Sequence, residues 1–152
     1  MDKLAYLLTL ECSHIDILPR GEMLYQHELG VLNVSLGIGN ETSHSLTISD
    51  ITFDLMDDRS VRNIEILRRR DEWRFFPGLK IPSDVLTSHI RLVNVTGHMV
   101  KDSDCVQLLR NNGSLCICLF DQDSKSFHRI SSHLIIGVTQ QQALAQIWVN
   151  GL

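Results

Sequence analysis

Residues 30–67 and 113–150 carry the same apolar pattern at an offset of 83 positions, the distance from Gly30 to Gly113. Gly30-Val-Leu-Asn-Val-Ser-Leu-Gly37 is echoed by Gly113-Ser-Leu-Cys-Ile-Cys-Leu-Phe120. The same offset carries Thr52–Ile66 onto Ile135–Val149. Apolar residues coincide at Leu32/Leu115, Val34/Ile117, Leu36/Leu119, Phe53/Ile136, Leu55/Val138, Val61/Leu144, Ile64/Ile147 and Ile66/Val149. Two blocks that share one gap restrict the chain to an internally repeated architecture. Leu32, Val34, Leu36, Phe53, Ile64 and Ile66 are expected to fill one half of the core. Leu115, Ile117, Leu119, Ile136, Ile147 and Val149 are expected to fill the other.

The repeated units read as strands. Val31–Leu36 alternates apolar and polar residues, as a half-buried strand does. Leu46–Leu55 alternates too, with a bend at Ser49-Asp50, and Val61–Leu67 returns after the turn Asp57-Asp-Arg-Ser60. In the second unit, Asn111-Asn-Gly113 joins Val106–Arg110 to Leu115–Phe120 as a hairpin. His133–Val138 and Leu144–Val149 form a last hairpin, and Asp121–Ser126 reads as a polar loop. Leu4–Leu10 reads as a strand or a short buried segment. Ser83–Ser88 reads as a short capped helix, followed by a strand over Ile90–Thr96. No long amphipathic helix is present. The expected fold is mainly β with minor helix: a single domain, residues 1–152, of two similar antiparallel meanders packed together.

At 152 residues and 43% hydrophobic content the chain can bury one core. Its net charge of −4 argues against a nucleic-acid binder and fits a basic partner. No secretory signal reads at Leu4–Leu10, which Asp2 and Glu11 bracket, and no stretch is long enough to span a membrane. The expected compartment is the cytoplasm. Cys12, Cys105, Cys116 and Cys118 are expected as reduced thiols, with Cys116 and Cys118 on one face of a strand. Asn-x-Ser/Thr triplets at Asn33, Asn40, Asn94 and Asn112 read as coincidental without a secretory signal.

Chemical motifs are sparse. His14-x-Asp16 is the closest approach to an acid–base pair. The other histidines are scattered, without metal-ligand spacing. No nucleophile elbow, phosphate loop or dinucleotide fingerprint is present, so no cofactor, metal or catalytic residue is expected. The most unusual composition is Arg68-Arg-Arg-Asp-Glu-Trp-Arg-Phe-Phe76. Arg and Trp are enriched at binding hot spots, and Arg with aromatics also suits single-stranded nucleic acid. The candidate partner-binding residues are Asp57, Asp58, Arg68, Arg69, Arg70 and Trp73. The C-terminal strand carries Trp148, and its expected place at a sheet edge predicts a homodimer.

Residues 25–67 resemble a small uncharacterised bacterial β-meander family, through Tyr25, Val31, Leu32, Val34, Leu36, Asp57, Asp58, Val61, Ile64, Glu65, Ile66 and Leu67. Gly30 replaces that family's aspartate. This resemblance covers under a third of the chain and implies topology, not activity. In size, acidity and lack of enzymatic motifs the whole chain resembles the immunity proteins of bacterial contact-dependent growth inhibition. That resemblance implies a non-catalytic protein that binds and neutralises a cognate toxin, an RNase being the expected kind, by blocking its active site. The duplicated strand arrangement is also similar to the Whirly single-stranded nucleic-acid-binding fold, the alternative reading. The longer helices and Lys-rich motif of that fold are missing.

Overall fold

The computed structural model describes residues 3–152 and is mainly β, as the patterning predicts. A short helix α1 (Lys3–Leu7) precedes β1 (Leu10–His14), β2 (Glu22–Gln26), β3 (Val31–Ser35), β4 (His44–Ile48), β5 (Ile51–Leu55) and β6 (Val61–Leu67). After a 3-10 turn at Arg70–Glu72 come β7 (Arg74–Phe75), β8 (Leu86–Leu92) and β9 (His98–Lys101). The chain closes with β10 (Gln107–Asn111), β11 (Ser114–Cys118), β12 (Ser126–Ser131), β13 (Leu134–Val138) and β14 (Leu144–Asn150). The strands form a six-stranded sheet, β2-β3-β6-β5-β4-β9, and an eight-stranded sheet, β1-β8-β12-β13-β14-β11-β10-β7. Their inward side chains make one hydrophobic core, which includes all twelve core residues named from the repeat.

The halves correspond in detail at the offset of 83. Strands β3, β4, β5 and β6 map onto β11, β12, β13 and β14. Leu32 faces Ile66 as Leu115 faces Val149, and Phe53 faces Ile64 as Ile136 faces Ile147. Even the β-bulge recurs, at Asp54/Leu55 and Gly137/Val138. The turns after the bulges match too. Met56 N–H donates to the Ser60 carbonyl and Thr139 N–H to that of Ala143, both at 2.9 Å.

The connectivity differs from a meander. In each half three hairpin-linked strands, β4-β5-β6 or β12-β13-β14, are followed in space by β3 or β11, which lies beside the last of them. This is a Greek key. The sheets are also mixed, because β9 pairs parallel to β4, β8 to β12 and β7 to β10. Three local readings change. Leu4–Leu10 opens as helix α1, whose Leu7 then joins the core with Leu8. The 83–88 segment is extended and leads into β8, so the expected 90–96 strand starts earlier and ends at Leu92. Ser126, expected to end a polar loop, instead opens strand β12, which runs on through residues given no expected element because pairing with β8 and β13 satisfies its backbone.

The outer faces of the two sheets are treated differently. On the six-stranded sheet, Thr52 and Asp54 alternate with buried Ile51, Phe53 and Leu55 in β5. On the eight-stranded sheet, β13 is buried at every position. The cause is the irregular segment 76–85, whose Leu79, Ile81 and Val85 pack over the outward-facing Cys116, Ile135 and Trp148. Asn111 fastens this strap by donating to the carbonyls of Pro77 and Leu79. The expected edge position of the last strand is therefore corrected: β14 lies centrally between β13 and β11. Trp148 is 8% exposed, covered by its own chain, and gives no apolar edge for a second copy.

Candidate functional site

The candidate residues from the sequence fall at the two ends of β6. Asp57 and Asp58 precede that strand, and Arg68–Trp73 follow it. Seven strand residues span roughly 20 Å, so the two groups do not form one compact site.

Asp57 and Asp58 are both exposed in the β5–β6 turn. The Asp58 carboxylate accepts the Ser60 N–H at 2.9 Å, and hydrogen bonds from the Ser60 backbone, then its side chain, hold the carboxyl below its usual range. Arginines surround this turn. Arg91 Nε donates to the Asp58 carbonyl at 2.7 Å, and Arg59 Nε donates to the Val95 carbonyl at 2.8 Å. The tip is a braced turn with mixed charge.

The arginine segment is divided between structure and surface. Arg68 Nε donates to Asp50 Oδ2 at 2.8 Å, so this guanidinium is spoken for within the fold. Trp73 is 2% exposed, which corrects its expected role as an anchor for a partner. Its ring lies 5.8 Å from that of Tyr25, and its indole N–H donates to the Arg68 carbonyl at 3.1 Å. Tyr25 Oη in turn accepts the Arg70 N–H at 2.8 Å. Trp73 is thus a core residue that pins the 3-10 turn. Of the named arginines, Arg69 and Arg70 present exposed side chains.

The histidines do not converge on a reaction centre. His14 Nε2 meets Asp16 Oδ1 at 3.0 Å, but the two side chains are 73% and 94% exposed and stand in open solvent. Ser60 Oγ and His89 Nε2 are 2.8 Å apart, yet Ser60 is fully buried and out of a substrate's reach. His128 is buried with both ring nitrogens used, by Ser88 Oγ at 2.8 Å and Ser126 Oγ at 3.0 Å. Burial lowers its pKa below that of a free histidine. Among the described residues no group of three His, Cys, Asp or Glu side chains is placed to hold a metal ion.

A more concentrated feature lies elsewhere, on the outer side of the eight-stranded sheet. Two Asp-x-Asp pairs, Asp102/Asp104 and Asp121/Asp123, flank the hairpin β10–β11. Its register sets Gln107 opposite Cys118, so both flanks leave the same open end. There, Asp104, Asp121 and Asp123 rim a cleft of about 480 Å³, with Cys105, Gln107, Cys118 and Gln146 among its other lining residues. All four aspartates are exposed, and the ion pairs among the described residues involve other carboxylates. Sequence reading passed over this rim because each half is a short polar loop. The signal was the symmetric spacing of the two pairs about the Asn111-Asn-Gly113 turn.

Neither the scan against protein-family models nor the search of curated proteins finds a match for this chain. Among the described residues no helix is long and apolar enough to cross a membrane.

Proposed function

We propose that the chain is a non-catalytic immunity protein that binds a cognate toxin and blocks its active site. The observation that carries this reading is the acidic rim of Asp104, Asp121 and Asp123, whose charges have no ionic partner within the described chain. Unpaired carboxylates cost little in water and gain most from a basic surface brought against them. A ribonuclease, which must attract phosphates, offers such a surface around its active site. Seated over that site, the rim would exclude substrate by occupancy and charge. Asp57 and Asp58, which are not among the residues that line the cleft, would contribute at most to the steering field.

The test is protection of cells from the toxin encoded beside this gene. An Asp104→Asn/Asp121→Asn/Asp123→Asn variant is expected to lose protection and to bind the purified toxin more slowly, with a weaker salt dependence. Unchanged protection and unchanged association would remove the rim from the interface. The alternative is a single-stranded nucleic-acid binder. It draws on exposed Phe75, whose ring lies 5.3 Å from the Arg110 guanidinium, and on exposed Arg74 and Phe76. Filter binding of single-stranded RNA or DNA that is lost in Phe75→Ala/Phe76→Ala would replace the immunity reading.

A further inference from the structure

Two of the four thiols meet where the acidic cleft gives way to the strap. Cys116 and Cys118 point the same way from β11, and their sulfurs are 3.9 Å apart. Cys118 lines the cleft and is half-buried. Cys116 lies beneath the strap at 1% exposure. One sulfur can therefore be reached from solvent while the other waits directly behind it.

The neighbours of Cys118 favour its ionised form. Gln146, opposite it on β14, has its side-chain oxygen occupied by the Trp148 indole N–H at 3.3 Å and by Ser124 Oγ at 3.2 Å. That orientation leaves the amide nitrogen to donate to the sulfur. The Cys118 thiol is lowered to about 7, first by the hydrogen bond from Cys116 and also by that from Gln146, against the opposing effect of burial. Cys116 moves the other way, because its proton is held by Cys118 and because it is buried. A thiolate with a pKa near ambient pH is the best-matched attacking group in thiol–disulfide exchange.

We infer that Cys116 and Cys118 form a dithiol exchange site, with Cys118 attacking and Cys116 resolving, that accepts small cationic disulfides through the acidic cleft. In the first step the Cys118 thiolate attacks one sulfur of the disulfide. The S–S bond breaks, a mixed disulfide forms, and the leaving thiolate takes a proton from water. In the second step Cys116 gives up its proton and attacks Cys118 Sγ, which releases the second small thiol. The protein pair loses two electrons and the small disulfide gains them.

Residues two apart on a strand have α-carbons about 6.6–6.8 Å apart, at the upper limit that a disulfide tolerates. The ring closes only with local contraction of β11, so the product is strained and returns readily to the dithiol. Three aspartates at the rim favour a dication over an anion. Exposed Cys105 lines the same cleft and is the competing thiol to be removed.

The experiment uses full-length Cys105→Ser protein, exposed to cystamine or to glutathione disulfide, then alkylated and peptide-mapped. The expected result is a loss of two hydrogens, with Cys116 joined to Cys118. Cystamine should react faster than glutathione disulfide by on the order of tenfold at low salt, and Asp121→Asn/Asp123→Asn should shrink that preference. Cys116→Ser should hold the small thiol on Cys118 as a stable mixed disulfide. Two thiols still open to alkylation, or a mixed disulfide on Cys118 that persists with Cys116 present, would overturn the exchange site. Equal rates for the two disulfides would overturn the cationic preference.

Discussion

Arg59 and Gln142, 83 positions apart, hold the same left-handed backbone conformation at the same turn of their respective halves, with φ of 72° and 63°. Each carbonyl there accepts an N–H from a segment outside its own Greek key. Leu92 donates to Arg59 at 3.1 Å, and Leu10 donates to Gln142 at 2.8 Å. The side chains differ in what they do. Arg59 reaches Val95 and Thr96, whereas Gln142 is exposed.

A glycine at each position separates backbone strain from side-chain bonding. Gln142→Gly removes the Cβ penalty of a left-handed residue and is expected to stabilise the fold by about 0.5–1 kcal/mol. Arg59→Gly gains the same relief but loses two hydrogen bonds, so it should be neutral or destabilising. Urea denaturation of both variants checks this. A destabilised Gln142→Gly would show that its side chain matters in a way the turn does not require.

Gly137 stands at the second bulge, where an added Cβ would collide with Ser124 Oγ. Gly137→Ala is expected to cost about 1–3 kcal/mol, as overpacking does. Because the obstacle is a side chain, Ser124→Gly in the same protein should recover most of that loss. Equal stability of Gly137→Ala and wild type would mean that the 121–125 loop yields freely.

His128 sets a pH dependence. Its folded pKa is depressed by burial, so above pH 6.5 both folded and unfolded states are neutral and it contributes no slope. As pH falls below 6.5 the unfolded chain takes up a proton that the folded chain refuses, and stability declines until the lower folded pKa is passed. One such proton gives a slope of at most about 1.4 kcal/mol per pH unit. Denaturation midpoints from pH 7.5 to 5 should fall more steeply for wild type than for His128→Gln. Parallel profiles would assign the slope to other groups.

The arginines should separate by role. Arg68→Ala removes the pair with Asp50, whose partners are partly exposed, and is expected to cost about 1 kcal/mol or less. Arg69→Ala and Arg70→Ala should stay within about 0.5 kcal/mol of wild type, as exposed substitutions do. Trp73→Ala should cost about 3 kcal/mol or more, as a buried aromatic does. Thermal unfolding of the four variants ranks them, and a mild Trp73→Ala would contradict its place in the core.

Much of this fold is legible in the sequence because the repeat fixes strand boundaries that alternation alone leaves loose. Leu115–Leu119 and Leu144–Val149 gain their assignments from partners 83 positions earlier. The strap over Cys116, Ile135 and Trp148 is not legible in that way. It belongs to neither copy, and an outward tryptophan beneath it looks the same in sequence as one at an open edge. Ser126–Ser131 was hidden because its pairing is a backbone property. The acidic rim was hidden because its halves lie on either side of a hairpin and become one surface only when that hairpin closes.

The chain passes from the eight-stranded sheet at β1 to the six-stranded sheet at β2–β6, back at β7 and β8, across again at β9, and returns at β10. The two copies are therefore stitched together by the segments between them. A fragment ending after β6 lacks β9, the parallel neighbour of β4. A fragment starting at β10 lacks β8, the parallel neighbour of β12, together with the strap. Neither copy can complete its sheet without strands from the linker between them. Ordering must wait for contacts far apart in sequence, which makes folding slow and all-or-none.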